Sequence, residues 1–529
     1  MIRVRQVRVP LEERQLLLNK ISKLLKVKEE TILSYKIVKE SGDARKKDNI
    51  LLIYEVDVEL NCEDEVLRKN KSQDIFITPN EEYNFLVTGN KKLNYRPVIV
   101  GSGPAGLLCA YFLAEHGYKP IIVERGECVE ERVRTIEEFW QTGKLNKNSN
   151  VQFGEGGAGT FSDGKLNTLV KDLFFRGKKV FEIFVECGAP SEILYLNKPH
   201  IGTDILRNVI KNLREKIISF GGEFKYNCCL TDLIIKDTKI EGIIVNNKEE
   251  IKTNLLVLAI GHSARDTFEM LLHSGICMES KPFAVGVRIE HPQKMINKSQ
   301  YGMEFHPYLK QASYKLTYKA ENGRGIYSFC MCPGGYVVNA SSEENRLVVN
   351  GMSNYQRESQ NANSAIVVTV SSKDFGNNPL DGIEFQRKLE ENAYTEGRGN
   401  IPIQLYKDFK DNKSSTAFGN FDSITNGRTS FANLNNVFPE FISESIKEAI
   451  PEFGKKIKGF DREDAILLGV ESRTSSPMKI PRDDNFFCNI EGIIPCGEGA
   501  GYAGGITTSA IDGVKVAESI AKMYVPFDN

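Results

Sequence analysis

The stretch VIVGSGPAGLLCAYFLAEHGYKPIIVE, residues 98–124, constrains the fold more than any other part of the chain. Val98, Ile99 and Val100 run into three glycines spaced GxGxxG, and an apolar helix over about 104–116 follows. Gly117 stops that helix, and PIIVE (120–124) returns as a strand. Strand, glycine turn, helix and strand make one βαβ unit, whose two strands must lie parallel because a helix crosses between them. Gly101 permits the tight turn, Gly103 lets the backbone approach a pyrophosphate, and Gly106 lets helix and strand pack closely. Ser102, Pro104 and Ala105 complete the turn, and the helix N-terminus offers its amides to an anion. Glu124 stands at the end of the second strand, where a carboxylate accepts both hydrogen bonds of an adenosine ribose and argues against a 2′-phosphate there. The alternative is a tight βα turn with an unrelated exposed glutamate.

That fingerprint alone does not separate NAD from FAD. In IIPCGEGAGYAGGITTSAIDG (493–513) a strand delivers Gly497, Glu498 and Gly499, and Gly504 and Gly505 open a helix near Ile506. A long cofactor accounts for both segments. Glu498 would hydrogen-bond a ribityl hydroxyl, and the helix N-terminus would face the flavin N1 and C2 carbonyl edge, where reduction places negative charge. The alternative is a glycine-rich corner remote from any ligand.

VIVGSGPAGLLCAYFLAEHGYKPIIVERG resembles the FAD-binding start of the glutathione-reductase-type flavoprotein superfamily. Ala110, Ala114 and Gly117 match its small helix positions, and Glu124 with Arg125 matches its strand end. LLVLAIGHSA (255–264) holds the place of that superfamily's second mark, which implies a position near the adenosine half for Ala259 and Gly261. NVQFGEGGAGTFSDGKLNT, SFCMCPGGYVVNAS, ESRTSSPMKI and PCGEGAGYAGGI resemble, more narrowly and over nearly the whole chain, a bacterial family of uncharacterised FAD-dependent dehydrogenases. The resemblance implies FAD as cofactor. It also carries the segment after the first βαβ unit past pyrophosphate and flavin, which assigns Gly156, Gly157, Gly159 and Thr160 to cofactor contact. Ser162, Asp163 and Lys165 then either face the reacting ring or form a capped surface turn.

Flavin hydride chemistry asks little of side chains, so the catalytic candidates are few: Arg473, Lys165, Cys330 and Cys332. Arg473 is a cation for the active-site edge, or the ion-pair partner of Glu471 or another acid. Arg132 and Arg134 either reach a pyrophosphate or lie on the solvated face of VEERVRTIEEFW. Cys330 and Cys332 form a CxC, whereas the CxxC that flavoprotein disulfide reductases place soon after the glycine motif does not occur. Cys228 and Cys229 read as strand packing. The six histidines show no metal-binding spacing, and there is no GxSxG elbow or Walker A motif, so no metal is expected.

The order of elements predicts an α/β fold. A Rossmann-like FAD-binding domain, a central parallel sheet plus a small β-meander, takes 97–270 and 486–529; a mixed α+β cap or substrate domain takes 271–485, with one long helix at about 438–457; and an α+β module of ferredoxin-like order takes 1–90. With 69 basic against 70 acidic residues there is no net field to recruit nucleic acid, and no apolar run approaches the roughly 20 residues a bilayer needs. Eleven cysteines without a CxxC fit reduced thiols in the cytoplasm. The expected function is a dehydrogenase or reductase acting on a small organic molecule, with NAD(P)H visiting the flavin face transiently because a second fingerprint is missing. An RNA-associated flavoprotein is the alternative: the first 47 residues carry 13 Lys/Arg against 6 Asp/Glu, with Arg45, Lys46 and Lys47 at a hairpin tip. The acids from Glu55 to Glu65 and the lack of an RNP-like aromatic pattern argue against nucleic acid. A flavin binder without turnover is the third class. Substrate, electron donor and oligomeric state are left open.

Overall fold

In the computed structural model, which describes residues 1–168 and 170–527, strand Val98–Val100 is the centre of a five-stranded parallel sheet. Leu256–Leu258 and Ile121–Val123 flank it, and Ile493–Pro495 and Glu223–Lys225 form the edges. A parallel sheet is covered on both faces, so its strands are apolar without alternation: all three residues of the inner strands Val98–Val100 and Leu256–Leu258 are buried, as are those of the edge strand Ile493–Pro495, and in the inner strand Ile121–Val123 only Ile121 is partly exposed. The meander Leu230–Lys236, Lys239–Val245 and Glu249–Lys252 leads into Leu256–Leu258.

Helix Pro104–Glu115 makes the first crossover and is buried from Ala105 through Ala114. Against it packs Ile506–Met523, the last helix. Their closeness needs glycine: a Cβ on Gly513 would stand 2.1 Å from the Ala105 carbonyl oxygen. The last strand and last helix thus join the same layers as the glycine turn, although the whole cap lies between them in sequence.

The cap is built on a seven-stranded sheet in the order Thr317–Lys319, Gly325–Cys332, Asn361–Val370, Phe283–Pro292, Ile466–Glu471, Ile401–Leu405, Thr429–Phe431. Only its last pair is parallel. Helix Glu440–Lys456, close to the expected span, buries Ile442, Ile446, Ala449, Ile450 and Phe453 at helical spacing. A second long helix, Asp381–Glu396, was not expected. Its inward stripe is Ile383, Gln386, Leu389, Glu390 and Ala393, and the two polar members conceal the hydrophobic period.

The N-terminal module follows the order strand Ile2–Pro10, helix Leu17–Leu25, strands Ile32–Asp43 and Leu51–Leu60, helix Glu63–Lys69, strand Ile75–Ile77. Its antiparallel sheet runs 32–43, 51–60, 2–10, 75–77 and covers a core of its own. At the hairpin tip Arg45 pairs with Asp43 and stays in solvent. The connection over 80–97 is pinned to the last helix: the Thr88 and Gly89 amides donate to the Ala521 carbonyl at 3.1 and 2.9 Å, and Tyr83 donates to Glu518. Among the described residues no helix is long and apolar enough to cross a membrane.

Substituting Gly513→Ala tests the helix contact. Alanine is the better helix former by about 1 kcal/mol, but here it overpacks against backbone, so denaturant unfolding is expected to show a loss of about 1–3 kcal/mol. A gain in stability would mean that the two helices do not depend on this approach.

Candidate functional site

A cavity of about 600 Å³ opens where the parallel strands end, the place at which open α/β sheets bind ligands. Gly101, Gly103, Pro104 and Ala105 line it from the first turn, Glu124 and Arg125 from the second strand, and Ala259 and Gly261 from the third. Gly157 and Gly159 join from the glycine-rich loop, and Glu498, Gly504, Gly505 and Ile506 from the last turn. Lys165, Cys330 and Arg473 also reach it.

The glycines divide into two kinds. Gly101 has φ +100°, and a Cβ on Gly106 would lie 1.9 Å from the Gly101 oxygen, so both are demanded by the chain itself. Gly103 is different: its φ is −75°, and the nearest atom to an added Cβ is 3.8 Å away. At Gly504 and Gly505 an added Cβ would meet nothing within 4 Å, and the Gly505 backbone is extended. These three face the cavity with no reason inside the protein for lacking a side chain; a ligand lying flat on the backbone supplies one.

Glu498 points the same way. Among the described residues no donor lies within hydrogen-bonding distance of its carboxylate; His262 Nε2 is 4.0 Å away, and burial pushes Glu498 up to about 7. The amide ends of helices Pro104–Glu115 and Ile506–Met523 open on this cavity too, a fit for a long, anionic dinucleotide.

Other expected contacts lie behind the wall. Ser102 is fully buried, and its amide and hydroxyl donate to Glu124 Oε2 at 2.9 and 2.7 Å. Gly126 and Gly154 donate to Oε1, so all four acceptor positions of Glu124 are filled from within the chain. Glu124 is therefore a brace as well as a wall residue, and a ribose would compete with those donors. Gly156 and Thr160 do not line the cavity: Thr160 is buried, and a Cβ on Gly156 would strike its hydroxyl at 2.1 Å. Gly497, at φ +74°, also packs inward, against Ala105.

Arg132 corrects both expectations for it. It neither lies on a solvated face nor touches the cavity. It is fully buried and donates to the carbonyls of Asn150, Val151, Gly154, Glu155 and Gly157 at 2.7–3.2 Å. Burial pushes it down to about 10. Arg134 is exposed.

An uncharacterised protein of Clostridium beijerinckii (strain ATCC 51743 / NCIMB 8052) is 48% identical over 530 residues, covering 99% of each chain. Residues 95–269 match the pyridine nucleotide-disulphide oxidoreductase family, and residues 282–474 match the FAD-dependent protein, C-terminal domain-like family. The chain belongs to the FAD-dependent oxidoreductases. Residues 1–59 match a domain of unknown function. Glycine oxidase from Bacillus cereus ATCC 14579 is similar at 11% identity and a TM-score of 0.34, over 81% of this chain and 95% of that one. L-proline dehydrogenase from P. horikoshii is similar at 12% identity and a TM-score of 0.35, over 82% and 94%. Both likenesses are distant.

In this oxidoreductase the cap closes on the cavity through buried ion pairs. Arg473 has Glu390 as its partner, not Glu471: Nε and Nη2 donate to the two carboxylate oxygens at 2.9 and 2.8 Å. Arg265 grips the same carboxylate at 2.8 and 2.9 Å. Burial and the Arg265 charge hold Arg473 below its usual range. Glu471 instead pairs with Arg288 at 2.9 Å. The segment 162–165 turns inward and is no surface turn: Asp163 is buried, accepts from Arg357 and Ser353, and lies 3.6 Å from Lys165. Arg125 stacks on Phe153 at 4.4 Å and donates to Asp266 and Thr267. The roles of Arg132, Arg265 and Glu390 were missed because nothing in an isolated arginine or glutamate marks it as buried. The one available clue was the irregular glycine-rich loop, whose carbonyls had to find donors.

The raised Glu498 gives a pH prediction. A carboxyl held at about 7 when folded, against an ordinary 4.5, adds stability below 4.5 that is lost as pH rises to about 7. Glutamine mimics the protonated acid. In flavin-stripped protein, the melting temperature of Glu498→Gln is expected to match wild type near pH 4.5 and exceed it by pH 7; a constant difference would refute the burial of this charge.

Proposed function

We propose that this oxidoreductase is a dehydrogenase or reductase that moves a hydride between flavin N5 and a small organic substrate, with NAD(P)H as a transient donor entering the same cavity. The observation that carries the cofactor placement is the set of cavity-facing glycines, Gly103, Gly504 and Gly505, that nothing in the chain requires. FAD, when bound, supplies two-electron chemistry at its ring. The chain's own part is to hold and orient. The amides of the first helix N-terminus receive the pyrophosphate, Glu498 hydrogen-bonds the ribityl chain, and the second helix N-terminus faces the N1 edge with its partial positive charge. The glycine-rich loop and the cap strands exclude water from the opposite side, through Gly157, Gly159, Cys330 and Arg473. The unpaired cysteines support a reducing compartment, and we place the protein in the cytoplasm.

Gly505→Val is the direct test, because the added side chain meets open space and leaves the fold unstrained. Wild type is expected to purify yellow. The variant should bind FAD at least about tenfold more weakly, each tenfold being about 1.4 kcal/mol, with unchanged melting of the flavin-free protein. A fully flavinated Gly505→Val would overturn the placement. Anaerobic bleaching by NADH or NADPH, followed by reoxidation with a metabolite panel, reads the donor and substrate; no bleaching by either nucleotide would exclude NAD(P)H.

A further inference from the structure

Strand Gly325–Cys332 is broken near its end. Phe329 pairs with Ala365 and Cys332 with Asn363, so Cys330 and Met331 together stand opposite Ser364 in a β-bulge. Cys330 there has φ +42°, in the left-handed region that a residue with a Cβ avoids unless its surroundings enforce it. Bulges re-aim side chains beside active sites, and this one sets Cys330 on the cavity wall. Cys332 is fully buried behind it, with its Sγ 3.3 Å from the Cys330 carbonyl oxygen.

Two cations face the pair. Lys165 Nζ donates to the Met331 carbonyl between the two cysteines. Arg288 Nη1 donates to the Cys330 carbonyl at 3.2 Å and lies 3.8 Å from Cys332 Sγ. Their acidic partners are Asp163 and Glu471. The hydrogen bond from Cys332, followed by the charges of Lys165 and Arg288, holds the Cys330 thiol below its ordinary range, while Cys332 is raised. An accessible sulfur with thiolate character backed by a second, protonated one is the arrangement that thiol–disulfide exchange requires.

We propose that Cys330 and Cys332 are a redox-active dithiol that reduces a small organic disulfide entering the cavity, Cys330 attacking and Cys332 resolving. The Cys330 thiolate attacks one sulfur of R–S–S–R, the S–S bond breaks, and RS⁻ leaves and takes a proton. Cys332 then gives up its proton and attacks the Cys330 sulfur, releasing the second RSH and closing the Cys330–Cys332 disulfide. The dithiol is oxidised by two electrons and the substrate is reduced by two. Return to the dithiol needs a two-electron donor, and only this last step rests on the proposed function, with reduced FAD as that donor. Both cysteines lie outside residues 95–269, the part that matches the disulphide oxidoreductase family.

Trypsin, cutting after Arg324 and Arg346, releases peptide 325–346, which carries these two cysteines and no other. The purified protein, first reduced, is mixed with oxidised glutathione, its remaining thiols are alkylated, and the digest is weighed. The peptide is expected to lose two hydrogens and to escape alkylation, with two glutathione thiols released for each disulfide formed. Cys332→Ser should trap glutathione on Cys330, and Cys330→Ser should leave Cys332 alkylatable. A wild-type peptide alkylated at both cysteines overturns the proposal, as does glutathione found on Cys332. Should Cys332→Ser fail to fold, a wild-type time course replaces it, in which glutathione on Cys330 must precede the internal disulfide. The flavin spectrum of the same sample keeps the two readings apart. A disulfide formed without flavin supports the dithiol and refutes the proposed function, and flavin present over an unreacted peptide does the reverse.

Discussion

The site depends on one buried guanidinium. The loop over 150–157 has no ladder partner, and its glycines let it turn but give it no reason to hold still. Arg132 donates to five of its carbonyls, doing for this loop what a neighbouring strand does for a sheet. Among the described residues no carboxylate forms an ion pair with it, and the cost of burying its charge is offset by charge-assisted hydrogen bonds to backbone. From there the order spreads: Gly154 donates to Glu124, Glu124 accepts from Ser102, and Gly156 donates to the Ser102 carbonyl. First turn, second strand end and loop become one rigid wall.

A second set of charges joins that wall to the cap. Arg265 follows the strand Leu256–Leu258, Glu390 sits on a cap helix, and Arg473 follows the cap strand Ile466–Glu471. Removing one member of such a buried set leaves charge stranded, whereas the intact set adds little net stability over well-packed apolar residues. Its effect is on geometry: two arginines on one carboxylate permit few orientations of the cap over the cavity.

What could be read from residues alone was whatever is local. The turn at Gly101–Gly106 announces itself because its three glycines, the strand before them and the helix after them all fall within one short stretch, and the glycines at 497–505 between the last strand and helix do so for the same reason. Helix Asp381–Glu396 was invisible because Gln386 and Glu390 occupy core positions whose partners lie far away in sequence. Arg132 was read as reaching a pyrophosphate or lying on a solvated face, because nothing in VEERVRTIEEFW marks one of its arginines as buried. The bulge at Cys330 depends on pairing with Asn361–Val370, and no spacing within SFCMCPGG signals it. Local rules carry the coenzyme-binding framework, and long-range polar pairing carries the details.

The interrupted sheet has a consequence for biosynthesis. Strand Leu256–Leu258 waits for its neighbour Ile493–Pro495, and helix Pro104–Glu115 for Ile506–Met523. About 230 residues separate the two strands, which at about 5–20 residues per second is on the order of ten to fifty seconds of translation. During that interval the nascent chain carries an apolar sheet edge and an uncovered helix face. The half-built domain stays incomplete through that interval, and the slot between the first turn and the last helix closes only after residues 493–523 have emerged.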